Sequence, residues 1–190
     1  MPKLESNLKT MVLSLLGVCA VASGLLGYMN KITEGPIAES KAKAKLEAIQ
    51  KVVPEFNNNP SEEKYTVSTD LGDLECFPAK KDGTLVGTAI STKTNLAFSG
   101  SFSIMVGIKP DGTLIETSVL EHKETPGLGT KMTEPRFKNQ FIGKNPGTDK
   151  IKVKKDGGDI DAITAATISS RAFCDAVMRA FNAYQKGGQK

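Results

Sequence analysis

Tryptophan is absent from this chain of 190 residues, and aromatic residues make up only 6% of it. Proteins that hold single-stranded nucleic acid stack its bases on exposed rings, so this composition argues against such a surface. Charge argues the same way. The 25 Lys and Arg nearly balance 21 Asp and Glu, and the net charge is only +4. The lysines are spread, mainly over 41–51, 80–81 and 150–155, as solvated faces and not one basic stripe. No nucleic-acid partner is expected. Histidine occurs once, as His122, and the three cysteines Cys19, Cys76 and Cys174 include no Cys-x-x-Cys pair. A zinc or iron–sulfur site needs about four such ligands, so no metal ligand is expected from this chain alone. Cys76 and Cys174 either pair in an oxidising compartment or remain buried thiols. There is no internal repeat and no low-complexity tract.

What is present is a globular composition, 39% hydrophobic and 24% charged. After the N-terminal segment there is room for one domain of ordinary size. From Thr10 to Asn30 no residue is charged. That run is long enough to cross a bilayer, which takes about 20 helical residues, and Tyr28 would sit at its interface. Ala20-Val21-Ala22 looks like a signal-peptidase site, but the apolar run continues through Leu25 and Leu26. We therefore read an uncleaved anchor. Lys3 and Lys9 precede it and Lys31, Lys41, Lys43 and Lys45 follow it, so the lysines do not orient it.

The expected organisation is a short segment 1–9, a transmembrane anchor 10–30, a helical linker 31–60 and one domain over 61–190. Within the linker, Ala38, Ala42, Leu46, Ile49 and Val53 mark the apolar face of a second helix over 36–53, ended by Pro54. From about 63 to 120 the pattern is strand-like. Asp82-Gly83 signals a hairpin turn before a strand over 84–90, and Pro110-Asp111-Gly112 joins strands over 102–108 and 113–120. Residues 94–101 read as a loop, 134–142 as a short helix and 151–153 as a further strand. The last residues, 187–190, read as a frayed tail.

Two stretches carry the chemistry. Residues 161–170 form a small-residue, hydroxyl-rich turn. Behind it, Phe173, Val177, Ala180, Phe181 and Tyr184 mark one face of an amphipathic helix. The hydroxyls therefore lie at a helix N-terminus, where unpaired N–H groups and the dipole favour an anion such as phosphate. Thr164 or Thr167 capping the helix is the alternative. In the loop 121–130, Pro126 fixes the chain while Gly127 and Gly129 allow close approach. His122, without a partner histidine, reads as an exposed or supporting residue.

Asp161-Ala162-Ile163-Thr164-Ala165-Ala166-Thr167 resembles the attachment motif of the covalent-FMN subunits of the Rnf and Na+-NQR respiratory complexes. His122-Lys123-Glu124-Thr125-Pro126-Gly127-Leu128-Gly129 is similar to the His-x-Glu-Thr-Pro-Gly-Leu-Gly loop of the same family. The family usually has Gly where this chain has Ala165. The resemblance implies an α+β fold: one N-terminal transmembrane helix, then a single FMN-binding domain with a mainly antiparallel sheet and flanking helices. It implies one FMN per chain, joined through its phosphate to Thr167. Asp161, Thr164, Ala165 and Ala166 complete the acceptor segment. Glu124, Thr125, Gly127 and Leu128 would meet the ring or ribityl chain. A threonine hydroxyl is a weak nucleophile and no general base of this chain is evident beside Thr167. Attachment by a separate flavin transferase, using FAD and a metal ion, is accordingly what the family implies.

No catalytic residue is expected, since a tethered flavin relays electrons and needs position and environment from the protein. The resemblance points to an electron-carrier subunit, not a self-sufficient enzyme, with the other membrane subunits of an Rnf-type complex and membrane lipid as partners. Within the family, the short chain favours the G-type subunit of the ferredoxin:NAD+ Rnf complex. The longer C-type subunit of Na+-NQR, or a stand-alone FMN-binding domain of an extracytoplasmic reductase, is the alternative. The implied location is the bacterial inner membrane, single-pass, with the FMN domain on the periplasmic side.

Overall fold

The computed structural model describes residues 7–187. Most of the expected segment 1–9 and all but the first residue of the expected tail 187–190 lie outside the described residues. Helix α1 spans Leu8–Val52, and it is the one described helix long and apolar enough to cross a membrane. The two helices read over 10–30 and 36–53 are thus a single element with Pro36 inside it. Proline removes one backbone hydrogen bond and often breaks a helix. Here the Ala, Lys, Glu and Leu residues of 37–51 are strong helix formers that carry the helix onward.

The chain divides into a compact unit ending at Lys43 and a second beginning at Ala44. In the second unit, strands β1 (Tyr65–Thr69), β2 (Gly72–Lys81), β3 (Thr84–Ala97), β4 (Gly100–Ile108) and β5 (Leu114–Glu121) form one sheet in the order β1-β2-β3-β4-β5. Every pairing is antiparallel. This is a meander, and each strand pairs with its neighbour in sequence.

Both faces of the sheet are covered, so central strands bury consecutive residues instead of alternating ones. Thr88, Ala89 and Ile90 of β3 are all buried. On one face, Ala48, Ile49 and Val52 from the last turns of α1 pack with Phe77, Ala79, Ala89 and Met105. Gly107 of β4 is where they approach: a Cβ there would collide with the Val52 carbonyl. On the other face lies helix α3 (Thr167–Gly187), whose buried residues include Phe173, Val177, Ala180, Phe181 and Tyr184, the face read from the sequence. The Tyr184 hydroxyl donates to the Pro110 carbonyl, 3.1 Å, and Asp175 accepts from the Thr94 hydroxyl, 2.8 Å. Helix α3 therefore starts near the β3–β4 turn and ends near the β4–β5 turn.

Two local expectations are corrected. Residues 94–101 are mostly strand, and the β3–β4 turn is only Phe98–Ser99. Thr92 and Thr94 are buried while Lys93 and Asn95 are exposed, an alternation hidden in the sequence because hydroxyl residues occupy the inner positions. Residues 151–153 form no strand; Val153 makes a single parallel bridge to Ile160. That segment doubles back on itself through Gly157, at φ 78°. The short helix expected over 134–142 is a single turn, α2 (Pro135–Lys138), preceded by a 3-10 helix over Gly129–Thr133.

Candidate functional site

Four phenylalanines build the floor beneath the start of α3. The Phe173 ring lies 5.2 Å from that of Phe137 and 5.0 Å from that of Phe141 between centroids, and Phe102 of β4 closes the cluster at 6.2 Å. The Phe137–Phe173 pair is edge-to-face, with 84° between the ring planes, a geometry that adds about 0.5–1.5 kcal/mol beyond area burial. It fixes α2 against the first turns of α3.

Above this floor the segment 160–167 is pinned at both ends. At its entry the side-chain amide of Gln140 grips the backbone of Asp161. Its oxygen accepts the Asp161 N–H at 2.7 Å, and its nitrogen donates to the Asp161 carbonyl at 3.3 Å. The Asp161 carboxylate is exposed and paired with Lys154 at 2.8 Å. At its exit Ser170 takes hold. Its hydroxyl accepts the Ile163 N–H at 2.9 Å and donates to the Ala166 carbonyl at 3.0 Å. Between these clamps the Ala166 N–H donates to the Ile163 carbonyl, 3.0 Å, closing a turn with Thr164 and Ala165 at its centre. Ala165 has φ 61°, the left-handed region that favours glycine. Thr164 and Ala165 are exposed, Ala166 is buried and Thr167 is half-buried.

Thr167 is the first residue of α3. It lies inside the helix start, and the side chain that ties the turn belongs to Ser170. Sequence reasoning missed Ser170; its signal was the Ser169-Ser170 pair one turn into an amphipathic helix. Gln140 carried no signal, because its grip spans 21 positions.

The loop 121–130 comes to the same helix start. Glu124 is 6% exposed. One carboxylate oxygen accepts the Ser99 N–H at 3.0 Å, and the other accepts the Ser169 hydroxyl at 2.6 Å. Gly129 packs into this arrangement, where a Cβ would strike the Glu124 side chain and Ser169. The rest of the loop is a tight exposed turn. The Thr125 carbonyl accepts the Leu128 N–H at 3.2 Å, and the Thr130 hydroxyl accepts the Gly127 N–H at 2.9 Å. Thr125, Gly127 and Leu128 face solvent. His122 is half-buried with its Nδ1 unpartnered.

The structure thus brings Glu124, Thr125, Gly127 and Leu128 to the helix that Thr167 begins. Asp161 and Thr164 are exposed on the segment itself. They line a cleft of about 350 Å³ together with Lys131, Arg136, Phe137 and Gln140. Further along α3, Arg171 makes a two-point pair with Asp156, 2.7 Å each, which holds that carboxyl below the usual carboxylate range. Cys174 and Cys76 are buried, and burial pushes their thiols up to about 12 and about 11. Neither is a nucleophile near neutral pH. Among the described residues no group of three or more His, Cys, Asp and Glu gathers where it could hold a metal ion.

A family model described as FMN-binding domain matches residues 98–182, from the β3–β4 turn nearly to the end of α3. The chain is 37% identical over 172 residues to the G subunit of the ion-translocating oxidoreductase complex of Erwinia tasmaniensis, covering 84% of this chain and 81% of that one. It is 32% identical over 188 residues to the protein of the same name in Stutzerimonas stutzeri, covering 93% and 82%. With that of Escherichia coli the identity is 36%, over 85% and 83%. Among solved structures it is similar to the C subunit of the Na+-translocating NADH-quinone reductase from Parabacteroides distasonis, at 23% identity and a TM-score of 0.49 over 77% and 82% of the two chains. It is also similar to NqrC of Shewanella oneidensis, at 21% and 0.48 over 64% and 65%. With 32–37% identity to these relatives over most of its length, the chain belongs to the family of G subunits of ion-translocating oxidoreductase complexes, and its C-terminal part is an FMN-binding domain.

Proposed function

We propose that this protein is a membrane-anchored electron carrier of an ion-translocating oxidoreductase complex of the Rnf type, and that its FMN is joined through the phosphate to Thr167. The observation that carries the reading is the shape of the segment 161–167. Gln140 and Ser170 pin its two ends, and the turn lifts Thr164 and Ala165 into solvent just before Thr167 opens a 21-residue helix.

The surroundings fit this group. The first N–H groups of α3, which lack partners within the helix and carry the positive end of its dipole, would hold a phosphate joined to the Thr167 hydroxyl. The exposed Ala165 keeps bulk away from the approach to Thr167. In the adjoining cleft Lys131 and Arg136 are offset by Glu134 and Asp161, so its charge is balanced. Glu124 holds the loop that would meet the flavin, and both of its oxygens are already engaged by Ser99 and Ser169. Its part is therefore to position that loop, while Thr125, Gly127 and Leu128 make the contact. When bound, FMN supplies electron transfer in steps of one or two electrons; the protein supplies place and permanence.

The partners of this reading are the other membrane subunits of the complex, a flavin transferase during maturation, and lipid around α1. The domain stands on the extracytoplasmic side, where an untethered cofactor would be lost by diffusion. The C-type chain of a Na+-translocating NADH:quinone oxidoreductase would share the same local chemistry. The test is the intact mass of the protein from its native host, followed by peptide mapping. The expected result is one FMN on the peptide containing Thr167, and none in Thr167→Ala, which keeps the fold because Thr167 is half-buried and begins a helix that alanine suits. Flavin on another residue, or none in a host with active transferase, refutes the assignment.

A further inference from the structure

Arg171 follows Thr167 by four residues on α3. Side chains four apart share one helix face, with Cβ atoms about 5–6 Å apart. Helical side chains also lean toward the N-terminus, so a long one at position 171 reaches back over the first turn. Cys174 and Met178 continue the same stripe, and with Asp156 and Arg171 they line an open groove of about 360 Å³. Half of the Arg171 side chain is exposed there.

The guanidinium of Arg171 is held along one edge. Its Nε and Nη2 each donate to Asp156, at 2.7 Å. A guanidinium carries five N–H groups in one plane, so this pair leaves three outside it, one on Nη2 and both on Nη1. Nor is the charge of Arg171 used up by its partner. Lys152 and Lys155 act on the same carboxylate, so one anion faces three cations. The cleft on Thr164 differs, since its two cations are matched by Glu134 and Asp161.

We propose that Arg171 is the cationic partner of the phosphodiester that joins FMN to Thr167, its outer edge donating to a non-bridging phosphate oxygen while its inner edge stays on Asp156. This contact rests on the proposed attachment at Thr167. A diester carries one negative charge shared by two non-bridging oxygens. The planar fork of arginine matches such a pair of oxygens, where a lysine offers only a point charge. Arg171 makes and breaks no covalent bond; it fixes the protein end of the tether.

The chain has only three arginines, Arg136, Arg171 and Arg179, so isotopically labelled arginine gives three side-chain Nε–H signals by NMR. The test uses the full-length chain in a phosphorus-free detergent, made with and without the flavin transferase of its host, with flavin content read by intact mass. Arg171→Lys assigns one signal by deleting it. The expected result is that flavin shifts the Arg171 signal. The Arg179 signal should stay in place, since Arg179 lies about two turns further along α3 and is engaged by Asp175. In phosphorus NMR the diester resonance should move in Arg171→Gln, stay in Arg179→Gln, and fall between in Arg171→Lys. An Arg171 signal indifferent to flavin overturns the contact, and so does an unmoved diester resonance in flavinylated Arg171→Gln. A response of Arg136 in place of Arg171 overturns it too, by putting the phosphate over the cleft. Absence of flavin from the wild-type chain overturns instead the attachment on which the contact rests.

Discussion

Glu124 offers the sharpest test of how the site is held together. Replacing it by alanine removes the acceptor for the Ser99 N–H and for the hydroxyl of Ser169, which is 1% exposed. Each orphaned donor costs about 1–3 kcal/mol, the lower end applying to Ser99, which water can reach. A loss of about 2–4 kcal/mol in Glu124→Ala follows. The pairwise part is isolated by a double-mutant cycle with Ser169→Ala, where a charge-assisted hydrogen bond predicts a coupling of about 1.5–3 kcal/mol. Glu124→Gln should cost less, because its amide keeps an acceptor for Ser99 and a donor for the Ser169 oxygen. The assay is urea unfolding of the full-length chain in detergent, followed by far-ultraviolet circular dichroism. A coupling below about 0.5 kcal/mol would refute the clamp, since residues that do not interact add within that margin.

Ala165→Gly should stabilise the chain by about 0.5–1 kcal/mol, because relief of the left-handed conformation, about 1–2 kcal/mol, exceeds the added freedom of glycine in the unfolded chain; an unchanged or lower Tm would contradict this. Glu75 is paired with Lys45 and Lys64, and hydrogen bonds from these two lysines, Lys45 first, hold its carboxyl below its ordinary value of 4.5. A depressed carboxyl contributes stability that is complete above the ordinary value and fades as pH falls through the lowered one. The stability difference between wild type and Glu75→Gln should therefore be present at about pH 7 and vanish in acid; a difference that grows in acid would reverse the sign. Cys76 and Cys174 should resist alkylation in the folded chain near neutral pH and react after unfolding, as read by peptide mapping; labelling of either in the folded chain would contradict their burial.

The candidate site was legible in the sequence to the extent that it rests on local pattern. The apolar spacing from Phe173 to Tyr184 placed a helix behind Thr167, and α3 begins at that residue. Asp82-Gly83 and Pro110-Asp111-Gly112 marked turns that join β2 to β3 and β4 to β5. The parts that stayed hidden depend on partners distant in sequence. Glu124 is assigned to the flavin by the family resemblance alone; its burial depends on Ser99 and on Ser169, 45 positions away. Gln140 looked like any polar residue of a short helix. Thr92 and Thr94 disguised the end of β3, since strand alternation is usually read from apolar side chains. The family usually has glycine at position 165, and φ 61° at Ala165 is a backbone conformation that glycine adopts freely.

The order β1-β2-β3-β4-β5 bears on maturation. Every strand pairing joins neighbours in sequence and closes a short loop at low entropic cost. The contacts that dock the helix behind the turn are of another kind, because α3 must return from the far end of the chain to lie on β3, β4 and the loop at Glu124. A chain with its sheet complete and this helix undocked has the right residues and the wrong shape: Ser169 has not met Glu124. If flavin is joined at Thr167 as proposed, its addition doubles as an inspection step that marks the arrival of the last helix.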